Sequence, residues 1–189
     1  MVYGRTLLAR TALSLAVVLS AGLALALPNY TVTNLGTLGG DSGASGLNEL
    51  GHVVGGSVAA DGQTHAFIWR PGTGIEDIGT AGQTMGAATG INDYNIVCGY
   101  AGPWYDRREA YRWEYAGGTW THVWLGELNS KYPYGCAMAV NNAGQITGTD
   151  ITGLASGAFI WEEGTGMRAL GSMSHGQDIN ESGQVAGLI

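Results

Sequence analysis

The side chains of this 189-residue chain that could do chemistry are few and scattered: four histidines, two cysteines and 15 carboxylates. His52, His65, His122 and His175 show no i, i+4 pair and no Cys-x-x-Cys motif beside them, so no spacing builds a preformed transition-metal site. Gly40-Asp41-Ser42-Gly43 has the residues of an activated-serine segment. A serine nucleophile also needs a general-base histidine and an orienting carboxylate. In the arrangement this segment would belong to, both lie upstream, and the stretch from Leu27 to Gly40 supplies neither. Glu76-Asp77 and Glu162-Glu163 are adjacent acids on stretches that read as strands. Their side chains leave on opposite faces instead of converging as an acid/base pair, and they read as solvated charges. The sequence assigns no catalytic residue, no metal and no cofactor.

A second constellation suits binding. Gly102-Pro103-Trp104-Tyr105-Asp106-Arg107-Arg108 and Asn129-Ser130-Lys131-Tyr132-Pro133-Tyr134 bring four aromatic rings and three cations into two short segments. The candidate ligand-binding residues are Trp104, Tyr105, Arg107, Arg108, Lys131, Tyr132 and Tyr134. Amphipathic, semi-rigid side chains of this kind grip sugars, peptides or protein surfaces; the other reading is that the rings cover sheet edges.

The elements that must position these residues come from a repeat. Ala44-Ser45-Gly46-Leu47-Asn48 returns as Ala88-Thr89-Gly90-Ile91-Asn92, Ala137-Met138-Ala139-Val140-Asn141 and Gly176-Gln177-Asp178-Ile179-Asn180. Seven residues after each Asn a short apolar run ends in Gly55, Gly99, Gly148 or Gly187. A third run, Ala66-Phe67-Ile68-Trp69, recurs at Ala110 to Trp113 and Ala158 to Trp161. A fourth closes on Leu35-Gly36, Ile78-Gly79, Leu125-Gly126 and Leu170-Gly171. The period is about 45 residues, in the range of stacked-repeat architectures. With 33 Gly in the chain, at about 1 kcal/mol each in a helix interior relative to Ala, long helices are disfavoured. A hydrophobic share of 45% with six Trp excludes simple disorder.

Each run reads as a short strand, here called A to D in order from the Asn-bearing one. Asn-x-x-Gly joins A to B, with Asn95 in place of Gly in the second copy; both residue types accept the left-handed backbone of a tight hairpin. Strand C is apolar on both faces, as a sheet packed between two neighbours requires. The expected fold is all-β, a β-propeller-like array of four-stranded repeats with three complete units and an incomplete fourth. The units are expected near 30–74, 75–120, 121–166 and 167–189, opening on an offset D strand at 30–38. A β-trefoil, with three four-stranded units, is the rival that the fourth Asn argues against. An up-and-down meander puts the B–C loops and D–A crossovers on one face, so the two aromatic segments are expected to be neighbours there.

His65-Ala66-Phe67-Ile68-Trp69, with Leu35-Gly36-Thr37-Leu38-Gly39-Gly40 and the Gly-Leu-Asn and Val-Val-Gly elements, is similar to the bacterial HAF-family extracellular repeat. The resemblance implies an exported repeat protein with no established catalytic activity or cofactor. The motif's His is replaced by Glu109 and Gly157 in the later copies.

Arg5 and Arg10, the apolar run 11–23 and Ala24-Leu25-Ala26 read as a secretory signal over residues 1–26, leaving 27–189 as a single β-repeat domain, secreted or in the cell envelope. The whole chain carries a net charge of −7, and loss of the leader's two arginines makes it more acidic still. With Lys131 the only lysine and Arg107-Arg108 the only adjacent basic pair, nucleic acid is not an expected partner, nor is stable membrane insertion after cleavage. Cys98 and Cys136 fall in neighbouring repeats, where export permits a disulfide; buried free thiols are the other reading. The function expected is a non-enzymatic binding or scaffold module for a protein or glycan, with self-association through the incomplete fourth unit. The alternatives are a polysaccharide-acting enzyme on the same scaffold, with Asp106 and Glu109 as nearest acids, or a truncated propeller without activity.

Overall fold

The runs A to D form 14 strands in a computed structural model that describes residues 30–104, 107–128, 134–152, 155–171 and 174–189. The segment 1–26, Tyr105, Asp106, Lys131 and Tyr132 lie outside the described residues. Residues 34–189 make one compact unit, and residues 30–33, in the preceding one, have no regular structure. Sheet 1 holds β1 (Gly39–Leu47), β2 (Val53–Ala59), β3 (Thr64–Arg70) and β4 (Gly74–Gly79). Sheet 2 holds β5 (Met85–Ile91), β6 (Val97–Trp104), β7 (Arg107–Ala116) and β8 (Thr119–Trp124). Sheet 3 holds β9 (Gly135–Val140), β10 (Ile146–Thr152), β11 (Ala155–Glu162) and β12 (Gly166–Ala169). A two-stranded sheet 4 holds β13 (His175–Ile179) and β14 (Val185–Leu188). All are antiparallel meanders.

Residues 30–38, expected as an offset D strand, form no strand. Such a strand would pair with a C strand of the last unit, and among the described residues sheet 4 holds only β13 and β14. Instead the Leu38 N–H donates to Ser57 Oγ at 3.0 Å. Sheets 1 to 3 thus each run A-B-C-D within one repeat, spanning 39–79, 85–124 and 135–169, and sheet 4 holds A and B over 175–188.

The four matching Asn residues explain how the sheets are joined. In each A–B turn the Asn Oδ1 accepts backbone N–H groups from the turn that follows, as Asn92 does from Tyr94 at 3.0 Å and Ile96 at 2.9 Å. Its Nδ2 then donates to the backbone carbonyl of the next repeat's Asn: Asn48 to Asn92 at 2.9 Å, Asn92 to Asn141 at 2.9 Å and Asn141 to Asn180 at 3.0 Å. A second rung runs beside it. The N–H groups of Glu49, Asp93 and Asn142 donate to the side chains of Asp93, Asn142 and Glu181. At Asn180 the Nδ2 turns to Gln184 Oε1 of its own repeat.

Three residues before each Asn the A strand carries a bulge, at Ser45, Thr89, Met138 and Gln177, where the register with strand B slips by one. A bulge re-aims its extra side chain, and these four line one cavity of about 260 Å³ between the four A strands. The Gly seven residues after Asn sits opposite this kink. It does not end strand B, which continues past it in β2, β6 and β10. It is required because a Cβ at Gly55, Gly99 or Gly148 would drive into the carbonyl of Gly43, Ala87 or Cys136. The turn position behaves as expected, with left-handed φ at Gly51, Asn95, Gly144 and Gly183.

Each A strand packs on the sheet before it: β5 on β1, β2 and β3, β9 on β5, β6 and β7, and β13 on β9, β10 and β11. One core joins Ala66, Ile68 and Ile78 of sheet 1 to Tyr111 and Trp113 of sheet 2. A second joins Cys98, Ala110 and Leu125 to Phe159 and Trp161 of sheet 3. Strand C is thus buried on both faces, with one departure: Arg112 replaces the Ile of its counterparts yet is only 5% exposed. It pairs with Glu114 and Glu163 and lies 5.1 Å over Trp161.

Asn92→Ala removes a buried strap and leaves several backbone groups unpaired, so it is expected to cost about 3 kcal/mol or more. Asn180→Ala, at an exposed turn, is expected to cost about 1 kcal/mol. Urea unfolding midpoints of the two variants check the contrast, and Gly99→Ala is expected to match or exceed the larger loss.

Candidate functional site

The hairpin between β6 and β7 carries the first aromatic segment. Trp104 and Arg107 face one another across it, and Trp104 is 67% exposed. Arg108 turns inward, with its guanidinium 4.5 Å over the Tyr100 ring and 5.2 Å over the Tyr134 ring. One Nη of Arg108 also donates to the Tyr134 hydroxyl. The B–C hairpin of sheet 2 and the segment entering β9 are therefore neighbours. The tyrosine contacts favour the Arg108 charge against the opposing effect of burial. Among the described residues its buried Nε has no hydrogen-bond partner. Tyr100 was not foreseen. The signal for it is the cross-strand pairing of Tyr100 with Ala110, two residues from Arg108, which becomes readable only once the hairpin register is known.

The acids have structural partners. Asp150, 2% exposed, accepts the Leu128 N–H at 2.7 Å, the anchoring role that Ser57 performs for Leu38 in the first repeat. Burial raises its pKa, the Leu128 bond opposes this, and Glu127 adds to it. Glu109 is likewise raised by burial, then by Glu127, against a bond from the Tyr111 hydroxyl at 3.4 Å. Glu76 and Asp77, read as solvated, are both engaged: Glu76 with Arg70 and Trp120 Nε1, Asp77 with His65. Glu162 likewise pairs with Arg168, and the exposed Glu163 reaches Arg112. Opposite strand faces gave each acid a different partner.

Three of the histidines serve packing or turns: His52 Nδ1 meets Asn95 Oδ1 at 2.6 Å, His122 lies edge-on to Tyr111, and His175 meets Ser174 Oγ at 3.0 Å. His65 lies between two carboxylates, Asp77 at 2.8 Å and Asp61 at 3.1 Å. Among the described residues no group of three or more His, Cys, Asp and Glu is placed to hold a metal ion. No helix among them is long and apolar enough to cross a membrane.

Cys98 and Cys136 are free thiols here, on facing strands of sheets 2 and 3. Burial pushes Cys98 up to about 12, with Thr89 Oγ1 3.7 Å from its sulfur, and Cys136 up to about 11.

No protein-family model, curated protein or solved structure matches this chain.

Burial alone would lower the His65 pKa, but the Asp77 and Asp61 contacts together raise it above the usual value. A raised folded-state value means that the stability His65 contributes is fully present below about pH 6.5 and is lost as pH rises through that higher value. The difference in urea stability between wild type and His65→Gln is expected to be larger at pH 5.5 than at pH 8.5. With both thiolates disfavoured, the native protein is expected to react with a disulfide reagent at pH 8 far more slowly than the unfolded chain, checked by thiol release against time.

Proposed function

We propose that this chain is an exported, non-enzymatic β-propeller-like repeat protein of the HAF type that binds a protein or glycan ligand on its long-loop face. The architecture is supported by four sheets packed in sequence, with their A strands around one cavity and an Asn strap passed from repeat to repeat. Export rests on the leader-like pattern of residues 1–26 and on an acidic, lysine-poor composition.

The observation that carries the binding reading is the Arg108 corner. Tyr100 of β6 and Tyr134, just before β9, fix the guanidinium, its buried Nε has no hydrogen-bond partner among the described residues, and the exposed Trp104 lies on the same hairpin opposite Arg107. An exposed large ring on a hairpin that an inward-facing arginine ties down is a ready anchor for a partner, and the two-strand hairpin pre-pays its ordering. Tyr105, Lys131 and Tyr132 belong to the same proposed surface by sequence.

Self-association fits the same reading. Among the described residues the Asn48 carbonyl accepts only the turn N–H of Gly51, and Asn180 Nδ2 bonds within its own repeat. These are the acceptor and donor that one further neighbour in the ladder would join.

Glycan and peptide arrays probed with wild type, Trp104→Ala and Tyr134→Ala test the site. Saturable binding by wild type that falls about tenfold or more in both variants is expected. Binding untouched by the double replacement would remove the proposal.

A further inference from the structure

A second recess lies between sheets 1 and 2, away from the Arg108 corner. It is an open cleft of about 490 Å³ walled by His65, Glu76 and Asp77 of sheet 1 and by Tyr115, Thr119 and Trp120 of sheet 2. Its chemistry is aromatic and anionic together. Tyr115, 55% exposed, stands edge-to-face on Trp120 with ring centroids 5.5 Å apart. Trp120 Nε1 donates to Glu76 Oε1 at 2.8 Å, which leaves the indole rigidly oriented.

The cleft already holds one cation of its own. Arg70 pairs with Glu76 and lies 5.6 Å over the Trp120 ring, the carboxylate and π-face combination that stabilises organic cations. The rest of the charge is not balanced. Asp77, from β4, and Asp61, from the β2–β3 turn, share the single imidazole of His65. With Glu76 included, three carboxylates face Arg70 and His65, so a negative excess persists even when His65 is protonated and grows when it is neutral.

We propose that this cleft is a cation-binding site that takes an alkylammonium group, from a lysine side chain or a free polyamine, against Asp77 and the Tyr115 ring. His65 is the internal competitor for Asp77, so the site strengthens as His65 loses its proton. The groups facing His65 are Asp61 and Asp77, with Glu76, Arg70 and Tyr115 farther along the cleft; each of the acids favours the protonated imidazole, and Arg70 opposes it. Its raised pKa places this competition above the usual histidine range. The acidic chain as a whole steers cations toward it. Neither Trp104 nor Tyr134 takes part, so the site stands or falls apart from the ligand face proposed above.

Isothermal titration of the full chain with tri-lysine, spermidine, tri-glutamine and cellotriose at low salt tests it. Saturable binding of tri-lysine or spermidine at pH 8.5 is expected, weakened about fivefold or more at pH 5.5, with no binding of tri-glutamine. Tri-lysine binding without spermidine identifies a protein side chain as the source, and the reverse identifies a free amine. Asp77→Asn keeps the oxygen that accepts the Gly79 N–H and is expected to lose about tenfold in affinity, as is Tyr115→Ala, while Trp104→Ala binds as wild type. No saturable cation binding at pH 8.5, equal affinity in Asp77→Asn and Tyr115→Ala with native far-ultraviolet spectra, or binding of cellotriose in place of the amines would overturn the proposal.

Discussion

Each Asn amide in the first three A–B turns serves two masters. Its oxygen closes its own hairpin, and its two-hydrogen nitrogen reaches the main-chain carbonyl of the repeat that follows. An aspartate could close the turn but has no donor for the strap; a serine is too short to do both. The constraint is therefore on both ends of one small planar group, and it fixes two distances at once: within the turn and between neighbouring sheets. Asn92 and Asn141 are nearly inaccessible to solvent, so neither bond is exchanged cheaply for water.

Much of the glycine pattern follows from that spacing. Holding the A–B turns one carbonyl apart forces the A strands together near the shared cavity, where Gly46 and Gly90 already have backbone atoms of the next repeat within about 3 Å of where a Cβ would lie. The bulge three residues before each Asn turns the A strand and pushes its carbonyl into the space opposite strand B. Only a residue without Cβ fits there, at Gly55, Gly99 and Gly148. The C strands of sheets 1 to 3 supply the bulk, with Phe67, Trp113, Phe159 and Trp161 all buried. Small residues near the cavity and large ones on the C strands are the two sides of one packing solution.

The chemistry of individual repeats arises where the copies differ. The position of His65 becomes Glu109 and then Gly157, and only in the first repeat do Asp61 and Asp77 stand ready on either side of it. The position of Ile68 becomes Arg112, and the second repeat alone inserts a cation between sheets, neutralised by Glu114 and Glu163. Ser57 and Asp150 anchor the segment entering their sheets, whereas Ala101 between them in the series offers no such acceptor. The repeated residues make the scaffold, and the departures make its surfaces unlike one another.

By itself the sequence determined the strand count per repeat, the hairpin turns and the two-faced burial of strand C, because these depend on local backbone preference and on side-chain alternation, both periodic in the chain. It marked the Asn and the Gly seven residues later without giving their reasons. It offered 30–38 as a strand that is not formed, because a local pattern shows a strand's residues but not whether another strand's edge is there to pair with it. It located Arg108 and Tyr134 but not Tyr100, and it read Glu76 and Asp77 as solvated. Which group Glu76 holds besides Arg70, which acid of the next repeat reaches Arg112 and which segment Ser57 anchors are decided by residues some 20 to 50 positions apart. Those separations carry no local signal; only the packing of one sheet on the next brings the groups within reach.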